Sequence, residues 1–552
     1  MAENTPAELP DNETVATTPQ MQRGVRFWGV FASLCVLAFI SALDVSIIAT
    51  ALPKITADIG GGSQFVWIAN CFVISSTVLQ PLFGQVADIF GRRYPLALSI
   101  VVFALGSGIG GGSHNVGMLI AGRTIQGVGG GGIYVLIDIV CCDLVPLRER
   151  GKYLGMMFSG AGVAAALGPP VGGALAESDW RWIFWMNLPI CGLALALLLI
   201  FLKPQPRSTD VPWTTAIKEQ VDYVGALLLI PSLFAVLFGL IMGGVQYPWS
   251  SWRVIVPLVL GILGWVAFHL HQHFFATHPS VPSRLFANRT SATAFALTFL
   301  SSMLVQATTY LIPVYFQGVL NTTVLQSGTY FLPYAMGALF SAVLGGALLS
   351  KFGAYRPVHA AAFAVSAVAF GLFTLLDSGT KTVAWAFFQL IAAAGTGVTM
   401  STMLPAIMAG LPESDVALSS AAYSFIRNFG LIWGITVPGI IFSSVADMNL
   451  HRISDAHLQD SLRGGAAYSF ASQAHVLQHK YPNEVWDQVN DVYARALRAV
   501  WWFAIGVSIV SFFAVAGEEG LELRTELETE FGIDEEKEPQ GSSSSRENGQ
   551  AK

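Results

Sequence analysis

Two opposite charges sit in stretches otherwise too apolar to hold them. Asp44 lies in Leu43-Asp44-Val45-Ser46-Ile47-Ile48-Ala49-Thr50-Ala51-Leu52-Pro53, and Arg123 opens Arg123-Thr124-Ile125-Gln126-Gly127-Val128-Gly129-Gly130. An ion left alone in an apolar interior is costly, so each of these needs a partner. Moving a guanidinium towards or away from a buried carboxylate changes the acid's hold on a proton, and proton uptake and release is the chemistry such a pair offers. Asp138 is the second acid in an apolar run, read either as a proton carrier or as the structural partner of a basic loop. Arg427 could bind an anionic group of a ligand, or could reach its charge out to its helix end. Other chemistry is missing from the pattern. There is no nucleophile, base and orienter set, so no enzyme is expected. No G-x-x-x-x-G-K-[ST] loop suggests ATP as an energy source. His269, His271 and His273 read as a solvated helix end, and Cys35, Cys71, Cys141, Cys142 and Cys191 lack metal or redox spacing. No metal and no cofactor are expected.

The elements that must position these charges are membrane helices. Apolar residues make up 53% of the 552, and charged residues only 12%, against about 25% in a soluble protein. A helix needs about 20 mostly apolar residues to cross the hydrocarbon core. Such windows lie near 27–50, 64–86, 94–113, 117–140, 153–177, 183–202, 223–244, 253–272, 292–317, 327–350, 357–376, 384–409, 419–446 and 498–517. The expected fold is therefore all-α and polytopic, with fourteen spans. It divides into a cytoplasmic N-tail (1–26), a six-helix bundle (27–202), two linker helices (223–272) and a second six-helix bundle (292–517).

Loop charge sets the orientation. With the N-terminus inside, the inner loops hold Arg92, Arg93, Arg148, Arg150, Lys152, Lys203, Arg207, Lys218, Arg284, Arg289, Lys351 and Arg356, and short outer loops hold only Lys54, Arg181, Arg253 and Lys381. That asymmetry places both termini in the cytoplasm. The first 20 residues are polar and carry no cleavable signal. Residues 447–497 form an outer loop, in which Val485, Val489, Val492 and Ala496 share a face over 484–499 and suit a surface-lying or mouth-capping helix. From Glu518 to Glu538, ten acids stand against only Arg524 and Lys537, and Ser542 to Ser545 follow. Residues 518–552 therefore read as a disordered acidic tail. Without that tail the chain is nearly neutral, with no basic face for nucleic acid. Asn321-Thr322-Thr323 is a glycosylation sequon close to the membrane.

Several motifs add a resemblance. Gly84-Gln85-Val86-Ala87-Asp88-Ile89-Phe90-Gly91-Arg92-Arg93 follows the second span, and Gly346-Ala347-Leu348-Leu349-Ser350-Lys351-Phe352-Gly353 repeats its glycine spacing 262 residues later. Duplicated halves are a common device of secondary transporters. The first loop resembles the signature loop of the major facilitator superfamily, in which the acid latches the inner gate; Ile89 departs from the family's basic residue there. Arg123, Gln126 and Gly127 resemble a second family motif, and the Asp44 stretch is similar to the first helix of drug:proton antiporters. Gly155, Ala164, Gly168, Pro169, Gly172 and Gly173 resemble the antiporter motif of span five, with Ala164 in place of a glycine. Trp180-Arg181-Trp182-Ile183-Phe184-Trp185-Met186-Asn187-Leu188-Pro189 is close to the fourteen-span branch. Asp143–Gly151 and Ser424–Gly430 look like its fungal toxin and multidrug efflux members.

The resemblance implies a monomeric, multi-pass carrier in the lipid bilayer. It would exchange protons for small amphipathic organic molecules and so confer drug or toxin resistance. The plasma membrane is the expected site, with a vacuolar or vesicular membrane as the alternative. Asp44, Arg123 and Asp138 would couple protons, and Gly84, Asp88, Gly91, Arg92 and Arg93 would gate. From their positions, Asn70, Gln80, Gln126, Gln306, Tyr310, Tyr315, Gln317, Tyr330 and Arg427 are expected at the substrate cavity. Import of a siderophore-like molecule and a non-transporting sensor are the alternatives; the span-five motif speaks against the first, and the short tail against the second.

Overall fold

The computed structural model describes residues 24–59, 65–202, 221–243 and 247–524. Fourteen long helices account for most of them. They are α1 (Val25–Ile59), α2 (Phe65–Phe90), α3 (Arg93–Gly111), α4 (Val116–Leu144), α5 (Leu147–Ser178) and α6 (Trp182–Phe201, with a turn at Met186). The next two are α7 (Tyr223–Met242) and α8 (Trp252–Phe274). The remainder are α9 (Arg289–Gly318), α10 (Val324–Phe352), α11 (Tyr355–Phe373), α12 (Thr382–Met408), α13 (Val416–Asn449) and α14 (Asn483–Ala514). Thirteen are long and apolar enough to cross a bilayer. The other, α5, is 32 residues long, but its glycines, alanines and charged first turn dilute its hydropathy. The chain is thus an all-α multi-pass membrane protein.

Local chemistry sets the helix ends. Asn115, Asp222 and Asn288 cap α4, α7 and α9 by accepting from Met118, Gly225 and Thr290 backbone N–H groups at 2.7–2.8 Å. Thr323 and Gln326 form a reciprocal capping box at the start of α10. Gly91 (φ +75°) and Gly353 (φ +69°) both take the left-handed conformation just past α2 and α10, so the duplicated loops share a turn that a side chain would strain.

Helices α1–α6 pack mainly on one another, as do α9–α14. The two groups meet through α5 against α10 and α12, and through α13 against α2 and α4. Helices α7 and α8 lie over the α2–α13 seam. There Leu229, Leu233, Val236 and Leu237 pack with Ile74, Val78, Phe425 and Phe429. Trp265 sits edge-on to Phe429 at 5.4 Å. The outward face of α8 remains exposed at Ile255, Val259, Leu260, Ile262, Leu263 and Val266, which suits contact with lipid.

Three expectations need correction. The amphipathic stretch 484–499 is the first half of α14 rather than a surface helix. Val489, Val492 and Ala496 are fully buried, and Trp486 stacks with Phe470 and Tyr481. The apolar stripe simply continues into the span, so nothing ends the helix, and the loop between α13 and α14 shrinks to 450–482. That loop is folded over short helices, with Leu458, Leu462, Ala467 and Ala471 buried. Asn321 does not present its sequon. It takes φ +54°, its Nδ2 donates to Asn490 Oδ1 at 3.3 Å, and its Oδ1 accepts from Trp486 Nε1 at 2.8 Å, so the nitrogen a glycan would occupy is engaged.

The tail is not disordered from its start, because its first residues are packed. Glu518 is fully buried against His359 of α11, with Nδ1 at 2.9 and 3.0 Å from its two oxygens, and His359 Nε2 lies 3.0 Å from Thr402 Oγ1. Further along, the Arg524 side chain donates to the Leu411 carbonyl and its backbone carbonyl accepts from the Arg148 N–H, so the strap reaches the start of α5. One acid with a buried partner outweighs the polarity of the segment around it. Removing one member of a buried pair costs about 3 kcal/mol or more. Glu518→Ala should therefore lower the thermal stability of the purified protein, while deletion of 525–552 should leave it unchanged; matched melting curves in detergent check both.

Candidate functional site

The carboxylate of Asp44 is the hub of a fully buried polar network. Arg123 Nη1 reaches Asp44 Oδ2 at 2.5 Å, while Gln126 Nε2 and Asn187 Nδ2 donate to Oδ1 at 2.7 and 3.0 Å. Arg123 also donates to Gln126 Oε1 at 2.7 Å, and Ser107 Oγ accepts from both Gln126 and Asn187. Acceptance of N–H donors at both oxygens is the pattern of an ionised carboxylate. The Arg123 guanidinium lies 4.6 Å from the Phe72 ring centroid, a cation–π contact that shields it further.

The glycines of α4 make this enclosure. A Cβ at Gly122 would meet Gly110 backbone at 2.8 Å, and one at Gly129 would meet Phe103 N at 2.3 Å, so α3 can approach one side. Gly127 and Gly131 face Phe72 and Ser76 of α2 just as closely on another. Gly106 of α3 lies against Gln126 itself. Small residues let the backbones close until Arg123 has only its protein partners to turn to.

Four turns along α4, Asp138 is also fully buried, and its Oδ2 accepts from Ser424 Oγ of α13 at 2.9 Å. It therefore joins the two helix groups rather than pairing with a basic loop. One turn beyond Ser424, Arg427 is half-buried, with its guanidinium 5.1 Å from the Phe158 ring of α5 and 5.3 Å from the Tyr423 ring. Tyr134, one turn from Asp138 on α4, donates to the Ser41 carbonyl of α1 at 3.2 Å.

At the end of the bundle that carries the termini, the two groups are closed on each other. A Cβ on Gly84 would meet Ala417 and Ala421 of α13 at 2.8–2.9 Å. A Cβ on its duplicate, Gly346, would meet the Gly151 carbonyl at 2.1 Å. Gly155 faces Ala342 in the same seam, whereas Gly168 receives Ser46 of α1, so the span-five motif serves two neighbours. Gly172 is buried; the surroundings of Pro169 and Gly173 lie outside the described residues.

Charges frame these contacts. Arg92 bridges Asp143 at 2.7 Å and Asp88 at 3.0 Å. Burial works against its charge, but the two carboxylates outweigh that and hold its pKa above the ordinary value. Arg93 donates to the Leu199 carbonyl. Arg150 crosses between the groups to Glu413 at 2.7 Å, and Arg148 donates to the Ser350 and Lys351 carbonyls, capping α10.

The expected cavity residues divide. Asn70, Gln306 and Arg427 keep partial exposure, and Tyr310 is 40% exposed. Gln126 belongs to the Asp44 network, and Gln80 is fully buried with both amide atoms unpaired. Tyr315 is fully buried and donates to the Asp377 carbonyl; Gln317 ties α9 to Ser327; Tyr330 stacks near Trp385 at 4.9 Å. These side chains hold the second helix group together. Sequence reasoning missed Ser107, Asn187, Asp143, Arg150 and Glu413 as site residues. Asn187 does stand in the aromatic stretch after span five and Asp143 and Arg150 in the loop before it, but only the fold says which charge each meets.

Two groups of six helices, joined face to face around buried ion pairs and with a duplicated gate loop, define a membrane carrier. A family model described as Major Facilitator Superfamily matches residues 34–435, and the chain belongs to that superfamily. An "MFS efflux transporter aclA" of Aspergillus oryzae is 43% identical, covering 93% of this chain and 92% of that protein. An "Efflux pump FUS6" of Gibberella fujikuroi is 40% identical over 99% of both. Among solved structures, the human organic anion transporter MFSD10 superposes with a TM-score of 0.54 at 16% identity, covering 89% of this chain and all of that one, which is a likeness of fold.

The closed contact gives a direct test. Gly346→Ala should force α5 and α10 apart, because the obstructing atoms are backbone and cannot rotate away. Thiol labelling of a Ser401→Cys reporter, buried beside Gly151, should rise severalfold in the Gly346→Ala background while the protein still inserts.

Proposed function

We propose that this protein exports small amphipathic organic molecules, driven by protons moving the opposite way, through alternating access between its two helix groups. It would act as a monomer in the plasma membrane with both termini in the cytoplasm. The observation that carries the reading is the Asp44–Arg123–Gln126–Asn187 network, a proton-binding group held by α1, α4 and α6 of one half. Relatives that align over nearly the whole chain are named efflux pumps, which supports export over import.

Helix α4 supplies the mechanical link. Arg123 and Asp138 are fifteen residues apart, about 22 Å along the axis or a little over four turns. Protonation of Asp44 would weaken its hold on Arg123 and free α4 to shift. A shift of α4 draws Asp138 away from Ser424, one of the bonds that joins the halves. Opening at the termini side must also break Arg150–Glu413 and the Arg148 caps on α10. Asp88, Arg92 and Asp143 would move as one rigid unit, since all three belong to the same half.

Asp44→Asn keeps the size of the side chain but cannot cycle between charge states. It should bind substrate yet lose uphill efflux, and collapse of the proton gradient with ATP present should stop the wild type. Vesicle efflux measured with and without an ionophore, alongside abundance of the variant, checks both. A well-folded Asp44→Asn carrier with unchanged uphill efflux would transfer the role to Asp138.

A further inference from the structure

The arginines that lie among the helices do not all have the same kind of partner. Arg92, Arg123 and Arg150 are each at most 8% exposed, and each has a carboxylate within 3.0 Å. Arg427 differs. Among the described residues no carboxylate lies within 4.0 Å of it. Asp138, the acid on the facing helix, accepts from Ser424 at Oδ2 and acts on Arg427 through space, without forming an ion pair with it. Arg427 stands eleven residues into α13, about 17 Å along the helix from its start, so it is too deep to reach the membrane surface.

Its surroundings are shaped for a planar anion. The Phe158 and Tyr423 rings flank the guanidinium, from opposite halves of the molecule. Tyr423 also bonds the guanidinium through its side chain, and a guanidinium, with five N–H donors, can make paired hydrogen bonds to two further oxygens. Further along the same face of α13, Leu431 is half-buried and Ile435 is 39% exposed; on α9, which packs against α13, Gln306 is half-buried and Tyr310 exposed. The lining thus runs from one half-buried cation to apolar and aromatic side chains with growing access.

We propose that Arg427 is the docking point for an anionic oxygen group of the transported molecule, a carboxylate or an acidic enol, borne on an aromatic or apolar body that lies along α9 and α13. This rests on the reading of the space between the halves as the substrate site. It names what the site selects, which the proton-coupling reading leaves open.

The test is equilibrium binding, independent of transport and of any proton gradient. The full chain, in phosphatidylcholine nanodiscs, is titrated with 4-(1-pyrenyl)butyrate and with its methyl ester at pH 7.5. Energy transfer from tryptophan is read over empty nanodiscs. A charge-assisted hydrogen bond makes the acid bind about tenfold tighter than the ester. Arg427→Gln should bind both alike at the ester's affinity, and Arg427→Lys should keep part of the preference. If Arg427→Gln fails to insert, the wild-type ratio and Arg427→Lys decide. A wild-type ratio near one overturns the proposal, as does an Arg427→Gln carrier that still prefers the acid. Loss of gradient-driven efflux in Asp44→Asn would be untouched by either result, so the two readings fail separately.

Discussion

A guanidinium removed from water must be given an anion, and the way Arg123 meets that demand constrains much of the first helix group. The side chain sits on α4 and its carboxylate on α1, so these two helices must keep matching depth. Gln126, Asn187 and Ser107 then bring α6 and α3 into the same network, and Phe72 of α2 covers the face of the charge. Five helices are therefore tied to one buried ion pair. None could slide by a turn without leaving a polar group unpaired in an apolar interior, which is the large penalty in such a medium.

That closeness is possible because glycine is concentrated where backbones meet. Gly122, Gly127, Gly129 and Gly131 on α4 admit α2 and α3, while Gly84, Gly151, Gly155 and Gly346 let the two helix groups touch at the end bearing the termini. The first set stays packed as a unit. The second lies in a seam held by a few bonds between groups, chiefly Arg150–Glu413, Asp138–Ser424 and the Arg148 caps. A tight backbone contact with few long side chains interleaved can open and close without repacking a core. Close packing within a half and close contact between the halves thus come from the same residue type used in two places.

Helices α7 and α8 complete the asymmetry. They cover the α2–α13 seam with apolar and aromatic contacts, whereas in the α5–α10 seam glycines of α5 meet Ala342, Gly346, Leu339 and Leu349. The strap from Glu518 to Arg524 adds a second bridge, anchored in α11 by a buried glutamate–histidine contact and touching the start of α5. Both features limit how the halves can separate.

Some of this was legible in the residues themselves. Runs of about 20 apolar residues can be helices across a bilayer and little else, because no other local structure satisfies its backbone there. Fourteen windows therefore mapped onto fourteen helices. The pairing of Asp44 with Arg123 was also readable, since each is an ion in an apolar stretch that needs a partner of opposite charge. The duplicated glycine spacing marked two equivalent turns, and both glycines carry positive φ. The rest depended on which faces meet. A glutamine looks the same in sequence whether it lines a cleft, as Gln306 can, or completes a buried network, as Gln126 does. Val485 to Ala496 has the pattern of a surface helix until α14 is seen to continue through it. Glu518 looks like one acid among ten until His359 is placed beside it. Periodicity and local charge act along the chain and can be read from it, whereas partners hundreds of residues apart are chosen by packing.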